Sequence, residues 1–154
     1  MSKWDGSIKK KTRQDEKKKN TLLLIDAENV SYKKADVIMG WVELQGVIAI
    51  GKVYGRQKDP HVKGWFEKAR EYDLEEIRLY GPPEKDKVDK KIQRDARREI
   101  SVHKNLDIVC LVTSDSGYVD MIDELRSQGK RVVVIGEEKA SEALRKSCSQ
   151  FIEI

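Results

Sequence analysis

The 154-residue sequence has only two cysteines and two histidines. Cys110 sits inside the apolar run Ile108-Val109-Cys110-Leu111-Val112 and reads as a small core residue, not half of a staple. Two cysteines make no disulfide framework, so a reducing, cytoplasmic home is expected. The N-terminus has no apolar stretch of the signal-peptide kind. No apolar run is long enough to span a bilayer, so no membrane partner is expected. His61 and His103 are isolated in sequence, and neither is assigned as ligand or base. No G-x-x-x-x-G-K-[ST] loop and no G-x-G-x-x-G turn occur, which removes both common nucleotide fingerprints. A Ser-His-Asp or Cys-His set cannot be assembled either.

What the chain has is charge. Charged residues make up 38% of it, for a net charge of +4. The excess is uneven. Residues 1–20 hold Lys3, Lys9, Lys10, Lys11, Arg13, Lys17, Lys18 and Lys19 against Asp5, Asp15 and Glu16. Residues 1–19 therefore read as a basic flexible tail, a solubilising arm or a nucleic-acid tether. A single domain is expected over 20–154.

Beyond residue 20 the pattern alternates. Strand-like runs are TLLLIDA (21–27), VIAIGKVYG (47–55), LEEIRLYG (74–81), DIVCLVTSD (107–115), RVVVIG (131–136) and QFIEI (150–154). Between them lie helix-like stretches. In ADVIMGWVELQG (35–46), Val37, Ile38, Trp41 and Leu44 stand at helical spacing. DPHVKGWFEKAREY (59–72) opens on Asp-Pro, a favoured helix start, with Val62, Trp65, Phe66 and Ala69 on one face. A charged helix over 85–103, an amphipathic one in YVDMIDELRSQG (118–129) closed by Gly129, and a short one in ASEALRKS (140–147) complete the set. Such alternation predicts an α/β fold, a mostly parallel central sheet with helices on both faces. Ligands of such sheets bind beyond the carboxyl ends of the strands, where strand order reverses.

That rule gives the strand-end carboxylates their interest. Asp26 closes the first strand and Asp115 closes the most apolar one. A lone Asp before a helix is commonly an N-cap, but two at corresponding strand ends point to a site. Asp89 comes from helical geometry. On an ideal helix it projects about 20° from Ala96 and Ile100 and about 60° from Ile92. It therefore lies in the helix's own apolar stripe, where an ionised carboxylate needs a partner or a metal; favourable charge at a helix N-terminus is the alternative. Asp95 flanks the stripe, with a salt bridge to Lys91 or Arg98 as its alternative. Carboxylates without a Cys or His cluster suit a hard cation, Mg²⁺ or Mn²⁺. The lysines and arginines of the same helix form a solvated face or a surface for a polyanion.

Taken together these segments resemble the NYN family of PIN-like nucleases, in its LabA-like branch, over roughly residues 20–154. The resemblance rests on LLLIDAENV (22–30), KVYG (52–55), KDKVDKKIQRDA (85–96), LVTSDSGYVDMIDELRSQGKRVVVIG (111–136) and the ending LRKSCSQFIEI (144–154). It implies a Rossmann-like PIN fold and a metal-dependent ribonuclease. Asp26, Asp89 and Asp115 would be catalytic and metal-holding, with Asp95 as a further metal ligand. Asn29 and Ser114 would orient ligands or water, and Lys87, Lys90 and Arg94 would track the phosphate backbone. Where the family usually has a second Asp in its fourth-strand motif, this chain has Gly117, and Tyr118 replaces Phe. A site one acid short is expected to bind metal more weakly and to favour Mn²⁺ over Mg²⁺.

The partner implied is nucleic acid, RNA ahead of DNA. One alternative is a catalytically weak domain that binds RNA or a protein partner; a homo-oligomer is also open. A phospho-acceptor receiver domain fits less well. That class needs an Asp at the end of the third strand, where this chain has Leu79-Tyr80-Gly81-Pro82-Pro83, and a Lys after the fifth, which Lys130 precedes.

Overall fold

The computed structural model describes residues 18–84 and 87–154. Most of the expected tail, and Lys85 and Asp86 at the head of the charged helix, lie outside the described residues. The strands are β1 (Asn20–Asp26), β2 (Val47–Arg56), β3 (Glu75–Leu79), β4 (Ile108–Val112), β5 (Arg131–Gly136) and β6 (Gln150–Glu153). The helices are α1 (Ala35–Gln45), α2 (Pro60–Glu71), α3 (Lys87–Val102), α4 (Val119–Ser127) and α5 (Glu142–Ser147). Short 3₁₀ turns at Tyr32–Lys34 and Ser116–Tyr118 lead into α1 and α4, a detail the sequence pattern does not announce.

All six strands are parallel, in the order β3-β2-β1-β4-β5-β6. This is the doubly wound order, and its switch point lies between β1 and β4. The two central strands are buried on both faces, which explains their unbroken apolar runs. Leu22, Leu23, Leu24 and Ile25 are fully enclosed, each contributing about 1.5–3 kcal/mol of burial. Leu22, Leu24 and Tyr54 face a core closed by α3, α4 and α5. Leu23, Ile25 and Val53 face one closed by α1 and α2.

Local chemistry sets the helix boundaries. Asp59 caps α2 by accepting from the His61 N–H at 2.9 Å, with Pro60 in the first position. Ser141 caps α5 through the Leu144 N–H. Gly129 follows α4 at φ +84°, the left-handed region glycine enters without strain.

One expectation is corrected. The buried face of α1 is Ala35, Ile38, Met39 and Val42. Val37, Trp41 and Leu44 lie on the other side, at 56%, 40% and 75% exposure. The helix has two apolar stripes, and the one carrying Ala35 and Met39 packs more closely on the sheet.

Candidate active site

The switch point brings together the ends of β1 and β4 and the first turn of α3. Asp26 shares a sheet face with Leu22 and Leu24, because side chains alternate along a strand. Its carboxylate is wholly buried. Oδ2 accepts from Asn29 Nδ2 at 2.8 Å, Thr113 Oγ1 at 3.0 Å and the Tyr118 hydroxyl at 3.0 Å. Oδ1 accepts from the Glu28 N–H at 3.3 Å. Burial pushes this carboxyl up from the usual 3.8 to about 6, and the four hydrogen bonds hold it from rising further. Every one of those four donors is neutral.

Asp115 does what the capping alternative foresaw. Its Oδ1 accepts from the Gly117 N–H at 3.0 Å, closing the 3₁₀ turn before α4. The same turn leaves Asp115 half-buried just past the end of β4. Asp89 lies in the first turn of α3 and is buried. Its Oδ1 accepts from Gln93 Nε2, one helical turn on. Gln93 Nε2 also donates to the Gly117 carbonyl at 3.3 Å, joining α3 to the turn after β4.

Tyr118 ties the three acids together. It is buried, donates to Asp26, and has its phenol raised by burial first and then by the charges of Asp26, Asp89 and Asp115. Asp26 takes this hydroxyl directly, and Asp89 and Asp115 lie near enough for their charges to act on it. Gly117, where the resemblance implied a missing acid, is closely packed. Its φ lies outside the left-handed region. A Cβ there would collide with Asp89 Oδ2 and approach Asp115 Oδ1 to 3.5 Å. The space of a side chain at 117 is thus taken by the Asp89 carboxylate.

Asp95 stands elsewhere. Six residues further along α3, it is buried under the helix against β2, accepting from the Tyr54 hydroxyl at 2.7 Å and Lys91 Nζ at 3.0 Å. Lys52 Nζ lies 3.9 Å from it and 3.4 Å from Glu99. Burial raises this carboxyl, but Tyr54, Lys91 and Lys52 more than offset that, and it falls below the usual range. Asp95 is thus brought to a cluster of cations, not to Asp26.

The remaining expected residues divide. Asn29 is on Asp26 as described. Ser114 Oγ accepts from the Glu137 N–H at 2.9 Å and so holds the loop after β5. Lys87 Nζ donates to the Tyr80 carbonyl. Lys90 lies 3.7 Å from Glu84, both exposed, a pair of small energetic weight. Arg94 is exposed on the same helix. Thr113, Tyr118 and Gln93 were not expected in the site. The i, i+4 spacing of Asp89 and Gln93 was a usable signal; the others depend on how the turn after β4 folds back.

Every side-chain donor that could face a ligand here is an oxygen, the chemistry of a hard divalent cation. Among the described residues, no group of three or more His, Cys, Asp or Glu side chains is arranged to hold a metal. Mg²⁺ is commonly held by one or two carboxylates and keeps several waters. Asp89 and Asp115, which both approach Gly117, are two carboxylates of that kind.

Comparison with known proteins agrees with this architecture. The family model described as the NYN domain matches residues 20–154. A crystal structure of a protein of unknown function from Vibrio parahaemolyticus superposes with a TM-score of 0.69 at 21% identity, covering 89% of this chain and 93% of that one. At that identity the likeness shows the fold alone. No curated protein matches. No described helix is long and apolar enough to cross a membrane.

Proposed function

Since the chain belongs to the NYN domain family, a family of PIN-like nucleases in the main, we propose that it is a metal-dependent ribonuclease working at the β1/β4 crevice. The observation that carries this reading is geometric: Tyr118 holds Asp26 through its hydroxyl, and Asp89 Oδ2 and Asp115 Oδ1 both lie within 3.5 Å of where a Cβ on the neighbouring Gly117 would stand. Acids so crowded, one of them held above its usual range by burial, gain most from a cation.

Asp26, Asp89 and Asp115 would hold Mg²⁺ or Mn²⁺. Bound there, a divalent cation supplies an acidified water and stabilises charge on the phosphate and the leaving oxygen. The protein's part is positional. Asn29, Thr113 and Tyr118 fix the Asp26 carboxylate in one orientation, and Gln93 fixes Asp89 against the turn that carries Asp115. Lys87, Lys90 and Arg94 give α3 a cationic side for the phosphate backbone. We assign Asp95 to holding α3 in place. With both cysteines free thiols, a reducing compartment such as the cytoplasm suits the protein.

Labelled RNA and DNA incubated with Mn²⁺, Mg²⁺ or EDTA, beside Asp115→Asn, test this. Metal-dependent RNA cleavage lost in Asp115→Asn is expected. No cleavage by the parent under any metal would contradict it. That outcome would favour the second reading, a binding domain, for which the exposed Val37, Trp41 and Leu44 stripe on α1 offers a surface to a protein partner or a second copy.

A further inference from the structure

A sizeable cleft opens beside the crevice, not in it. It holds about 600 Å³ at the carboxyl ends of β2 and β3, and Arg56, Lys58, Leu79, Tyr80, Pro82 and Pro83 line it. Volume of this order is ample for a small planar ligand. Tyr80 is 66% exposed and shares the lining with Pro82, Pro83, Arg56 and Lys58.

Two ties join this cleft to the acids. On one side Glu28, whose N–H donates to Asp26, accepts from the Arg56 N–H at 3.0 Å and Arg56 Nε at 2.7 Å. On the other, the Tyr80 carbonyl accepts from Lys87, two residues before Asp89 on α3. In register, Asp26 pairs with Tyr54 and Tyr54 with Ile77. The cleft therefore lies two strands from Asp26, on the order of 10 Å across the sheet. Strand ends, acids and cleft share one edge of the molecule.

We infer that the cleft seats an unpaired nucleobase of an RNA strand whose phosphate lies at the Asp26–Asp89–Asp115 crevice. This rests on the nuclease reading above and adds the class of substrate to it. The chemistry is that of single-strand recognition: a base stacks on an exposed aromatic, and nearby cations follow the backbone. Lys58 supplies charge on the cleft wall. The adjoining hollow of about 330 Å³ shares Lys58 and adds Lys63 and Arg70. A base inside a duplex cannot enter without leaving its stack, so paired RNA is excluded from the productive position.

The test is equilibrium binding of a fluorescent single-stranded RNA decamer in EDTA, so that hydrolysis plays no part. Tyr80→Ala is expected to weaken binding about tenfold and Tyr80→Phe to stay within twofold, because stacking needs the ring and not the hydroxyl. The same sequence as a duplex should bind the parent at least tenfold more weakly than the single strand. Tyr80 lies on the surface, and circular dichroism of each variant checks its fold. Equal affinity of parent and Tyr80→Ala, duplex binding as tight as single-strand binding, or no binding by the parent overturns the inference. Tyr80-dependent binding by a protein that shows no cleavage under any metal leaves this cleft standing and removes the nuclease reading.

Discussion

Two groups of buried acids lie on the same face of the sheet, and they are built on opposite plans. Asp95 and Glu99, under the middle of α3, are matched inside the protein by Lys52 and Lys91. Asp26, at the end of β1, is held by an amide, two hydroxyls and a backbone N–H, all neutral. The titration directions follow. Asp95 falls below the usual carboxylate range, whereas Asp26 is raised to about 6. A charge the fold has neutralised has no need of a ligand, and one the fold only orients keeps its attraction for a cation from outside. The contrast separates the acids that hold α3 in place from those that face the crevice.

The sharpest break in that contrast is Asp26→Asn. We expect RNA cleavage to fall at least a hundredfold while the fold survives, because an amide oxygen can still accept from Asn29, Thr113 and Tyr118. Stability should move the other way. A folded value near 6 against 3.8 unfolded means that the parent loses stability as pH rises through that window. The variant escapes this loss, gaining on the order of 3 kcal/mol at pH 8 and well under ~1 kcal/mol at pH 4. Urea melts at both pH values, alongside cleavage assays, check the two halves.

Lys52→Met attacks the other group. It strands Asp95 and Glu99 beneath α3 and should cost about 3 kcal/mol near neutral pH. Asp95, with its lowered value, contributes stability above 3.8 that is lost as pH falls through its folded value. Adding Asp95→Asn to Lys52→Met should therefore recover part of the loss, a coupling that a double-mutant cycle measures directly. Additive effects would mean that the two side chains do not compensate each other.

A smaller effect is expected from Gly117→Ala. The added Cβ displaces the Asp89 carboxylate, and cleavage should drop roughly tenfold, a barrier change of about 1.4 kcal/mol. Gly117→Asp should then weaken metal binding, the reverse of what the family's usual motif suggests. A Gly117→Asp protein with tighter Mn²⁺ binding would show that Asp89 can yield the space.

The frame of this site was readable from the sequence because it depends on strand ends. Unbroken apolar runs located β1 and β4, and Asp26 and Asp115 follow directly. Asp89 was visible as a carboxylate inside a helix's apolar stripe. Neighbours contributed by the turn after β4 were not visible. Thr113 and Tyr118 reach Asp26 only because that turn doubles back over the end of β1, and the tight approach of Asp89 to Gly117 depends on the same path. Lys52 stands inside a β-branched run and was not singled out from the sequence. Its partners come from α3, far along the chain, and no local spacing names them. Asp95 was counted among the metal ligands through the family resemblance, whereas helical angles had put it on the flank of the stripe, where the Lys91 salt bridge was the alternative and is what the structure shows.

The most direct test of the contrast is a Mn²⁺ titration of metal-free parent, Asp26→Asn and Asp95→Asn, followed by thermal unfolding. A ligand that binds only the folded form raises the melting temperature, by an amount that grows with the logarithm of its concentration above its Kd. Mn²⁺ should stabilise the parent and Asp95→Asn and leave Asp26→Asn unmoved. An equal rise in the parent and Asp26→Asn, or a response lost only in Asp95→Asn, would contradict the assignment of the cation to the Asp26 crevice.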